Sequence, residues 1–459
     1  PKGYVGLVGR ATYDYRSKYM AEVNIGYNGS ENFAPGKRYG LFPAGSIGWV
    51  VTEEPFMEDL KQYVNYLKVR ASYGIVGNDN TQNRRFMYID DPYYLNGSGY
   101  NFGTNVGSNQ GGAYEGAKSN PDVTWEKAYK QNIGVDLYVL DDRLKTTFDF
   151  FKEHRTDILV VPNSLPSYIG MSLPVLNNGV VDSHGYEITL NWSDRVGRGF
   201  RYWVSPNISF ARNKIVEQME VRPNEDYLWK TGKPVGQPFG RQFWGFYDAT
   251  ANERYRSEFG HDIADHSVTL VNGDAVYVDI NKDGVINDDD KIAMGFTNVP
   301  EYVFGMNSGF EWNGFDFSMQ WTGAWNTSRM LQETLREPLG DTNNKGLLLY
   351  QFEDRWTEET AATAKLPRAS ITSKANNIVD SDLYLVNASY LRLKSLEIGY
   401  NFDIPMMDKI KLNSLRVYAN GYNLLTFDVL KITDPESRTS DRPNYPLTRV
   451  FTVGLKLGF

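Results

Sequence analysis

Val450-Phe451-Thr452-Val453-Gly454-Leu455-Lys456-Leu457-Gly458-Phe459 decides the fold class. Phe451, Val453, Leu455, Leu457 and Phe459 are apolar, and Thr452, Gly454, Lys456 and Gly458 separate them. Successive side chains of a strand point to opposite faces, so this strand has one greasy and one wet face. A soluble β-sandwich and a membrane barrel both use such strands. The recurrence of the pattern at bilayer length, and its end on an aromatic residue, favour the barrel, with lipid outside and a polar lumen within.

The alternation returns in Phe315-Asp316-Phe317-Ser318-Met319-Gln320-Trp321-Thr322 and in Tyr186-Glu187-Ile188-Thr189-Leu190-Asn191-Trp192. It returns in Leu67, Val69, Ala71 and Tyr73, and in Ile133, Val135, Leu137 and Val139. At Lys394-Ser395 the phase slips, from Leu391 and Leu393 to Leu396, Ile398 and Tyr400, which predicts a β-bulge. Strands are expected near 4–14, 18–29, 42–52, 63–75, 124–139, 143–156, 184–194 and 199–212. Five more are expected near 302–313, 315–326, 388–402, 412–424 and 447–459.

Connections sort by length. Tyr15-Arg16-Ser17, Leu140-Asp141-Asp142, Asp194 to Gly199 and Asn313-Gly314 are short, and 53–62 and 403–411 are intermediate. The segments 30–41, 76–123, 157–183, 213–301, 327–387 and 425–446 are long. Outer-membrane barrels have short periplasmic turns and long extracellular loops, whereas a sandwich has no reason to sort loops this way. The carboxyl terminus is then periplasmic. The count is odd, about thirteen, while single-chain bacterial barrels are even, and open edges are untenable in lipid. Further strands are therefore expected before Pro1, in the same polypeptide or a companion chain. The start Pro1-Lys2-Gly3, without Met or signal peptide, is read the same way.

Composition agrees. The 459 residues carry a net charge of -8 and are 41% hydrophobic, and no stretch approaches the run of roughly 20 apolar residues a spanning helix needs. Mean hydropathy is -0.48, too polar for a helical membrane protein. Aromatics make up 14%, with 31 Tyr, which suits girdles at the membrane interfaces. The absence of cysteine excludes disulfides and thiol chemistry, and the acidic balance argues against nucleic acid.

Asp279-Ile280-Asn281-Lys282-Asp283-Gly284-Val285-Ile286-Asn287-Asp288-Asp289-Asp290 fits a calcium loop. Asp279, Asn281 and Asp283 take positions 1, 3 and 5, Gly284 makes the turn, Val285 offers its carbonyl, and Asp290 stands at position 12 in place of Glu. The alternative is a turn held by Asx hydrogen bonds with no ion. Tyr93, Tyr94, Tyr100, Trp229, Trp244, Phe246, Tyr247 and Trp356 are candidate ligand contacts in the loops, or else the loops' own packing. Arg392, Lys394, Glu397, Arg416 and Asn420 are candidate substrate contacts on the lumen face, or else cross-wall hydrogen bonds. His261 and His266, beside Asp262 and Asp265, read as a solvated loop. No catalytic constellation is found, so an enzyme is not expected.

Together the motifs resemble the carboxyl-terminal half of SusC/RagA-type TonB-dependent transporters of Bacteroidetes. The resemblance rests on Gly6-Leu7-Val8-Gly9-Arg10 with Tyr13, Gly29-Ser30 with Phe33, and Phe42-Pro43-Ala44-Gly45-Ser46 with Gly48-Trp49. It continues through Arg70-Ala71-Ser72-Tyr73-Gly74, Trp125-Glu126, Gly185-Tyr186-Glu187 and Tyr277-Val278-Asp279. Asn423-Leu424-Leu425, Asp434-Pro435-Glu436, Tyr445-Pro446-Leu447 and Phe459 complete it. It implies an all-β, transmembrane antiparallel barrel of roughly 22 strands, with residues 1–459 supplying its carboxyl-terminal part and 213–301 a long extracellular loop. It also implies a plug domain and TonB contact outside this chain, a SusD-like lipoprotein lid, a dimer of such pairs, surrounding outer-membrane lipid and lipopolysaccharide, and an oligosaccharide or oligopeptide cargo. A passive porin or adhesin barrel is the competing function. A secreted β-protein with a dockerin-like calcium half-module comes third, although a dockerin would repeat the loop and one copy is present.

Overall fold

The computed structural model describes residues 3–81, 84–90, 94–104, 109–114, 118–162, 173–197, 199–339, 346–371, 375–402, 412–437 and 447–459. Tyr93, Tyr445, Pro446 and the connection 403–411 lie outside these residues.

In the first half of the chain the long strands are β1 (Tyr4–Tyr15), β2 (Tyr19–Ser30), β3 (Tyr39–Val50) and β4 (Val64–Asn78). A small hairpin, β5 (Tyr94–Asn101) and β6 (Asn109–Tyr114), precedes β7 (Glu126–Val139), β8 (Leu144–Val160), β9 (Leu176–Val196) and β10 (Phe200–Glu217). The short strands β11 (Phe239–Arg241), β12 (Phe243–Phe246), β13 (Ala275–Tyr277) and β14 (Lys291–Ala293) follow, with helix α1 (Ala251–Phe259) among them. Then come β15 (Tyr302–Trp312), β16 (Phe315–Trp325) and β17 (Ser328–Met330), helix α2 (Leu349–Asp354) and β18 (Leu385–Asn387). The last three strands are β19 (Tyr390–Phe402), β20 (Ser414–Asp428) and β21 (Val450–Gly458).

Thirteen strands form one antiparallel sheet in the order β1-β2-β3-β4-β7-β8-β9-β10-β15-β16-β19-β20-β21. All thirteen expected strands are present. β9 and β10 run well beyond their expected ends. At the short turns the backbone adopts left-handed angles, as at Asn313 (φ 47°) and Gly314 (φ 85°), the geometry that tight hairpins require. The expected bulge is found: against β16, Gln320 pairs with Ser395 and Trp321 with Leu393, leaving Lys394 as the extra residue.

The register lines up the two faces. One row runs Tyr19–Trp49–Val69–Val135–Phe148, and a parallel row runs Ala21–Ile47–Ala71–Ile133–Phe150. Another runs Phe310–Phe317–Ile398–Ala419–Val453. These apolar rows face out of the protein: Ile47 is 66% exposed and Val453 79%. A sandwich in water would bury them against a second sheet. The opposite face carries the charges. The polarity is therefore inverted, as lipid demands, and the sandwich reading falls.

Two compact units divide the chain. The first comprises Pro1–Ile188, Ala211–Arg222 and Lys230–Lys233. Its aqueous core packs Phe33, Phe42, Val123, Trp125 and Val175. Trp125 Nε1 donates to the Arg38 carbonyl at 3.0 Å, and Gly77 is needed because a Cβ there would lie 2.0 Å from the Phe42 ring. The second unit comprises Thr189–Phe210, Pro223–Trp229 and Pro234–Phe459. Its connections fold into a module with its own core of Ala264, Ala275, Tyr277 and Ile286. The pairs β11–β14, β12–β13 and β17–β18 all lie in this module, inside connections expected to be long loops.

Candidate functional site: the polar face and the loop module

On the polar face, long cationic side chains lie over glycines of neighbouring strands. Arg70 Nη2 donates to Asp149 at 2.5 Å, Nε to Asp136 at 3.3 Å and Nη1 to Asn132 at 3.4 Å. Its guanidinium occupies the space above Gly134, where a Cβ would stand 2.4 Å from Cζ. Arg416 repeats the device. Its Nε donates to Asp316 at 2.9 Å and its Nη2 to Glu397 at 2.6 Å, over Gly399. Asn420 Nδ2 also donates to Glu397, at 3.2 Å. Of the predicted lumen residues, Arg416, Glu397 and Asn420 thus form one network across the wall.

Arg392 is placed differently. It is 1% exposed, and its guanidinium donates to Asp434 at 2.7 Å, to Glu436, and to Thr426 Oγ1 at 3.0 Å. Lys394 lies 3.5 Å from Glu436, and the Tyr390 hydroxyl donates to the same carboxylate at 2.6 Å. Arg329, which sequence reasoning missed, donates to the carbonyls of Asp434, Pro435 and Ser437. Two buried arginines therefore pin Asp434-Pro435-Glu436-Ser437. Beside this clamp lies a cavity of about 760 Å³ lined by Phe239, Val299, Val303, Arg329, Tyr390 and Glu436, among others. Its size and mixed lining suit a small-molecule or oligomer subsite.

In the loop module the twelve-residue motif closes on itself. Asp279 accepts from Lys282 N at 2.7 Å and Gly284 N at 2.9 Å. Asp290, fully buried, accepts from Ile280 N at 2.9 Å and Asn287 N at 2.8 Å. Asn281 accepts from Asp283 N at 3.2 Å, and Asp283 from Val285 N at 2.9 Å. Gly284 has φ +85°, the left-handed angle the turn needs. Among the described residues, no group of three or more His, Asp or Glu side chains is placed to share a metal ion. Calcium would have to draw Asp279, Asn281, Asp283 and Asp290 off these amides in part.

The motif is held from outside as well. Asp279 N donates to the Tyr255 hydroxyl at 3.2 Å, Asn224 Nδ2 donates to Asp289 at 3.0 Å, and the Tyr227 hydroxyl donates to the Asp289 carbonyl. Burial, then the surrounding carboxylates, push the Tyr227 hydroxyl up to about 12.

The predicted loop aromatics separate into two kinds. Trp244 packs on Tyr255, its ring centroid 5.1 Å away, and donates Nε1 to Glu258 at 2.7 Å. Trp356 lies over Gly273, where a Cβ would meet its ring at 2.4 Å. Tyr247 exchanges backbone hydrogen bonds with Asp274 and Gly273 at 2.8 Å. Phe246 packs on Phe243, and Trp229 is half-buried after the turn Asp226–Leu228. Among those whose side chains are described, Tyr100 alone stands out, 71% exposed and edge-on to Phe102. Tyr94 opens β5 in register with Tyr114.

One reading is corrected. His266 is 5% exposed, not solvated: its ring donates to the Ala264 carbonyl at 2.8 Å and accepts from Tyr277 N at 3.0 Å. Tyr277 and Asn376 complete the buried core, the Tyr277 hydroxyl donating to the Asn376 carbonyl at 2.9 Å. The apolar neighbours that bury His266 are contributed by residues beyond its own polar segment.

Comparison with known proteins agrees with this geometry. The chain is 26% identical over 481 residues to TonB-dependent receptor P3 of Formosa agariphila, covering 99% of this chain and 45% of the relative. It is 25% identical over 465 residues to TonB-dependent receptor SusC of Bacteroides thetaiotaomicron, covering 99% and 44%. The chain thus spans about half the length of the curated relatives it matches. In fold it is similar to the RagAB peptide importer in its closed-closed state, with TM-score 0.74 at 19% identity over 100% of this chain and 48% of that one. The family model for TonB dependent receptor-like β-barrels matches residues 4–424, and the chain belongs to that family.

Proposed function

We propose that the full-length protein imports an oligosaccharide or oligopeptide across the outer membrane, driven through TonB. The observation that carries this reading is the inverted sheet: apolar rows outside, arginine–carboxylate networks inside, and a folded module built from the long connections. A lipid-embedded wall with a polar lumen is a conduit, and a folded module offers a capture surface. The long connections are taken to face outward and the carboxyl terminus the periplasm. The cavity beside the Arg392 clamp is the candidate subsite. The kinship with SusC and with a RagAB importer supports a SusD-like lipoprotein lid, assembly as a dimer of pairs, and the two cargo classes. Strands and a plug beyond this chain would close the two open edges, β1 and β21.

Calcium in loop 279–290 is proposed as a brace for the module. Its spacing and the buried Asp279 and Asp290 support it. Millimolar calcium should slow amide exchange across 279–290 in the full-length protein, and unchanged exchange would remove the ion from the account.

The test of function is uptake of labelled oligosaccharide and oligopeptide libraries by cells with and without TonB. Accumulation that requires both this protein and TonB is expected. Uptake indifferent to TonB, with steady conductance in planar bilayers, would instead establish a passive porin.

A further inference from the structure

The cavity of about 760 Å³ beside the Arg392 clamp is built on the polar face of the sheet. There Val303, Ala324 and Tyr390 stand side by side on β15, β16 and β19. Phe239 of β11, Met330 of β17 and Pro300 add apolar walls. The charged residues of the lining are Arg329, Asp380 and Glu436.

Each of these charges is already engaged. Asp380 accepts from Arg336 Nη1 at 2.5 Å, and the Arg336 side chain is 15% exposed against 44% for Asp380. Glu436 accepts from Arg392, whose side chain is 2% exposed, and from the Tyr390 hydroxyl, with Lys394 3.5 Å away. Arg329 is buried, and its Nη groups donate to the carbonyls of Asp434, Pro435 and Ser437. An incoming cation would leave water only to compete with guanidinium groups that already hold both carboxylates. An incoming anion would meet the carboxylates before the cations, because Arg336 and Arg392 are the more buried partners of each pair. The free hydrogen-bonding capacity of the lining is neutral. Asn298 and Gln332 are exposed, and among the described residues their carboxamides make no hydrogen bond. A carboxamide both donates and accepts.

We infer that this cavity selects cargo by the absence of charge. It takes an uncharged unit that carries hydroxyl or amide groups and an apolar face, and it rejects cationic and anionic units. Arg336 and Arg392 set the rule by neutralising Asp380 and Glu436, so a charged cargo unit finds no counter-charge to repay its desolvation. Asn298 and Gln332 supply hydrogen bonds, and Phe239 and Tyr390 meet the apolar face. A neutral sugar and an uncharged stretch of peptide share this chemistry. The inference rests on the import reading and its subsite, but its test needs no TonB.

Isothermal titration calorimetry of the purified full-length protein in detergent, with matched sets of probes, decides it. One set is a glucose trimer, a glucosamine trimer and a galacturonic acid trimer. The other is an acetylated and amidated Ser-Gln-Ser peptide and its counterparts with Lys or Glu in place of Gln. In the set that binds, the neutral probe should bind wild type roughly tenfold more tightly than either charged one, and that set identifies the source. Asp380→Asn keeps the shape and leaves Arg336 without its carboxylate, so it should bring the anionic probe close to the neutral one. Arg336→Met should do the same for the cationic probe. Because the Asp380 side chain is 44% exposed, Asp380→Asn tests the rule even where Arg336→Met does not fold. Gln332→Ala should weaken the neutral probe and leave the ranking unchanged. A charged probe that binds wild type as tightly as its neutral mate, charge variants that shift all probes equally, or no binding of either neutral probe would overturn the inference. Loss of TonB-dependent uptake with this ranking intact would strike the import reading alone.

Discussion

The wall of β1–β4, β7 and β8 and the module around β12, β13 and α1 obey opposite rules. In the wall Ile47 and Ile133 face out, while Arg70 lies among Asp136, Asp149 and Asn132. In the module Ala275, Val276 and Tyr277 are fully buried and charged groups such as Asp288 and Glu253 line the surface. Both follow from one principle, that each surface matches its solvent. The wall sits against hydrocarbon, where an unpaired charge is expensive, so its cations and carboxylates are paired inward. The module sits in water, so it buries rings and tolerates surface charge. A β-strand sequence alone does not state which solvent it will meet.

The largest expected effect comes from emptying the module's core. Tyr277→Ala removes a fully buried ring and the hydroxyl donor to Asn376, and should cost about 3–5 kcal/mol. Faster amide exchange confined to 239–293, with the wall unchanged, would confirm that the two regions are separately stabilised. A uniform change would dissolve the comparison. Next is Ile47→Arg on the lipid face, expected to cost about 2–4 kcal/mol if the position is near the midplane. Reversible folding of the full-length protein into vesicles measures it, and a neutral result would mean that Ile47 meets water.

Smaller still is Arg70→Met. It strands Asp136 and Asp149 on the polar face, a loss of about 1–3 kcal/mol that Asp149→Asn should partly restore in a double-mutant cycle. Failure of that rescue would mean that the network is a crossing of side chains without energetic coupling.

The smallest effect is pH dependence in the module. Burial holds the His266 imidazole below the ordinary histidine range. The unfolded segment therefore takes up a proton first as pH falls. His266 stability is complete above the ordinary histidine pKa and declines as pH drops below it toward the folded value. Amide protection of 264–277, corrected for intrinsic exchange, should fall between pH 7.5 and 5 in wild type and much less in His266→Asn. Equal pH slopes in the two proteins would return His266 to the solvated loop that its neighbours suggest.

Much of the wall was legible because its signal is local. The alternation at 451–459, the slip at Lys394 and the Asn313-Gly314 turn each need only a few adjacent residues to be recognised. The module was opaque because its contacts are distant. Ala275 N donates to Asn377, 102 residues later, and Arg329 reaches Ser437, 108 residues on. No short-range pattern announces such pairs. Trp244 and Trp356 looked available for that reason, and the structure packs them against Tyr255 and Gly273.

The sequence by itself determined the strand period, the turn positions, the sorting of long and short connections and the presence of two unlike faces, since these depend on backbone geometry and neighbouring side chains. Only the tertiary structure decided which face is covered, that Arg392 serves as a buried clamp, and that the long connections fold around His266 and Tyr277. The physical reason is that burial is a property of what packs against a residue, and for these residues that partner lies up to a hundred or so positions away.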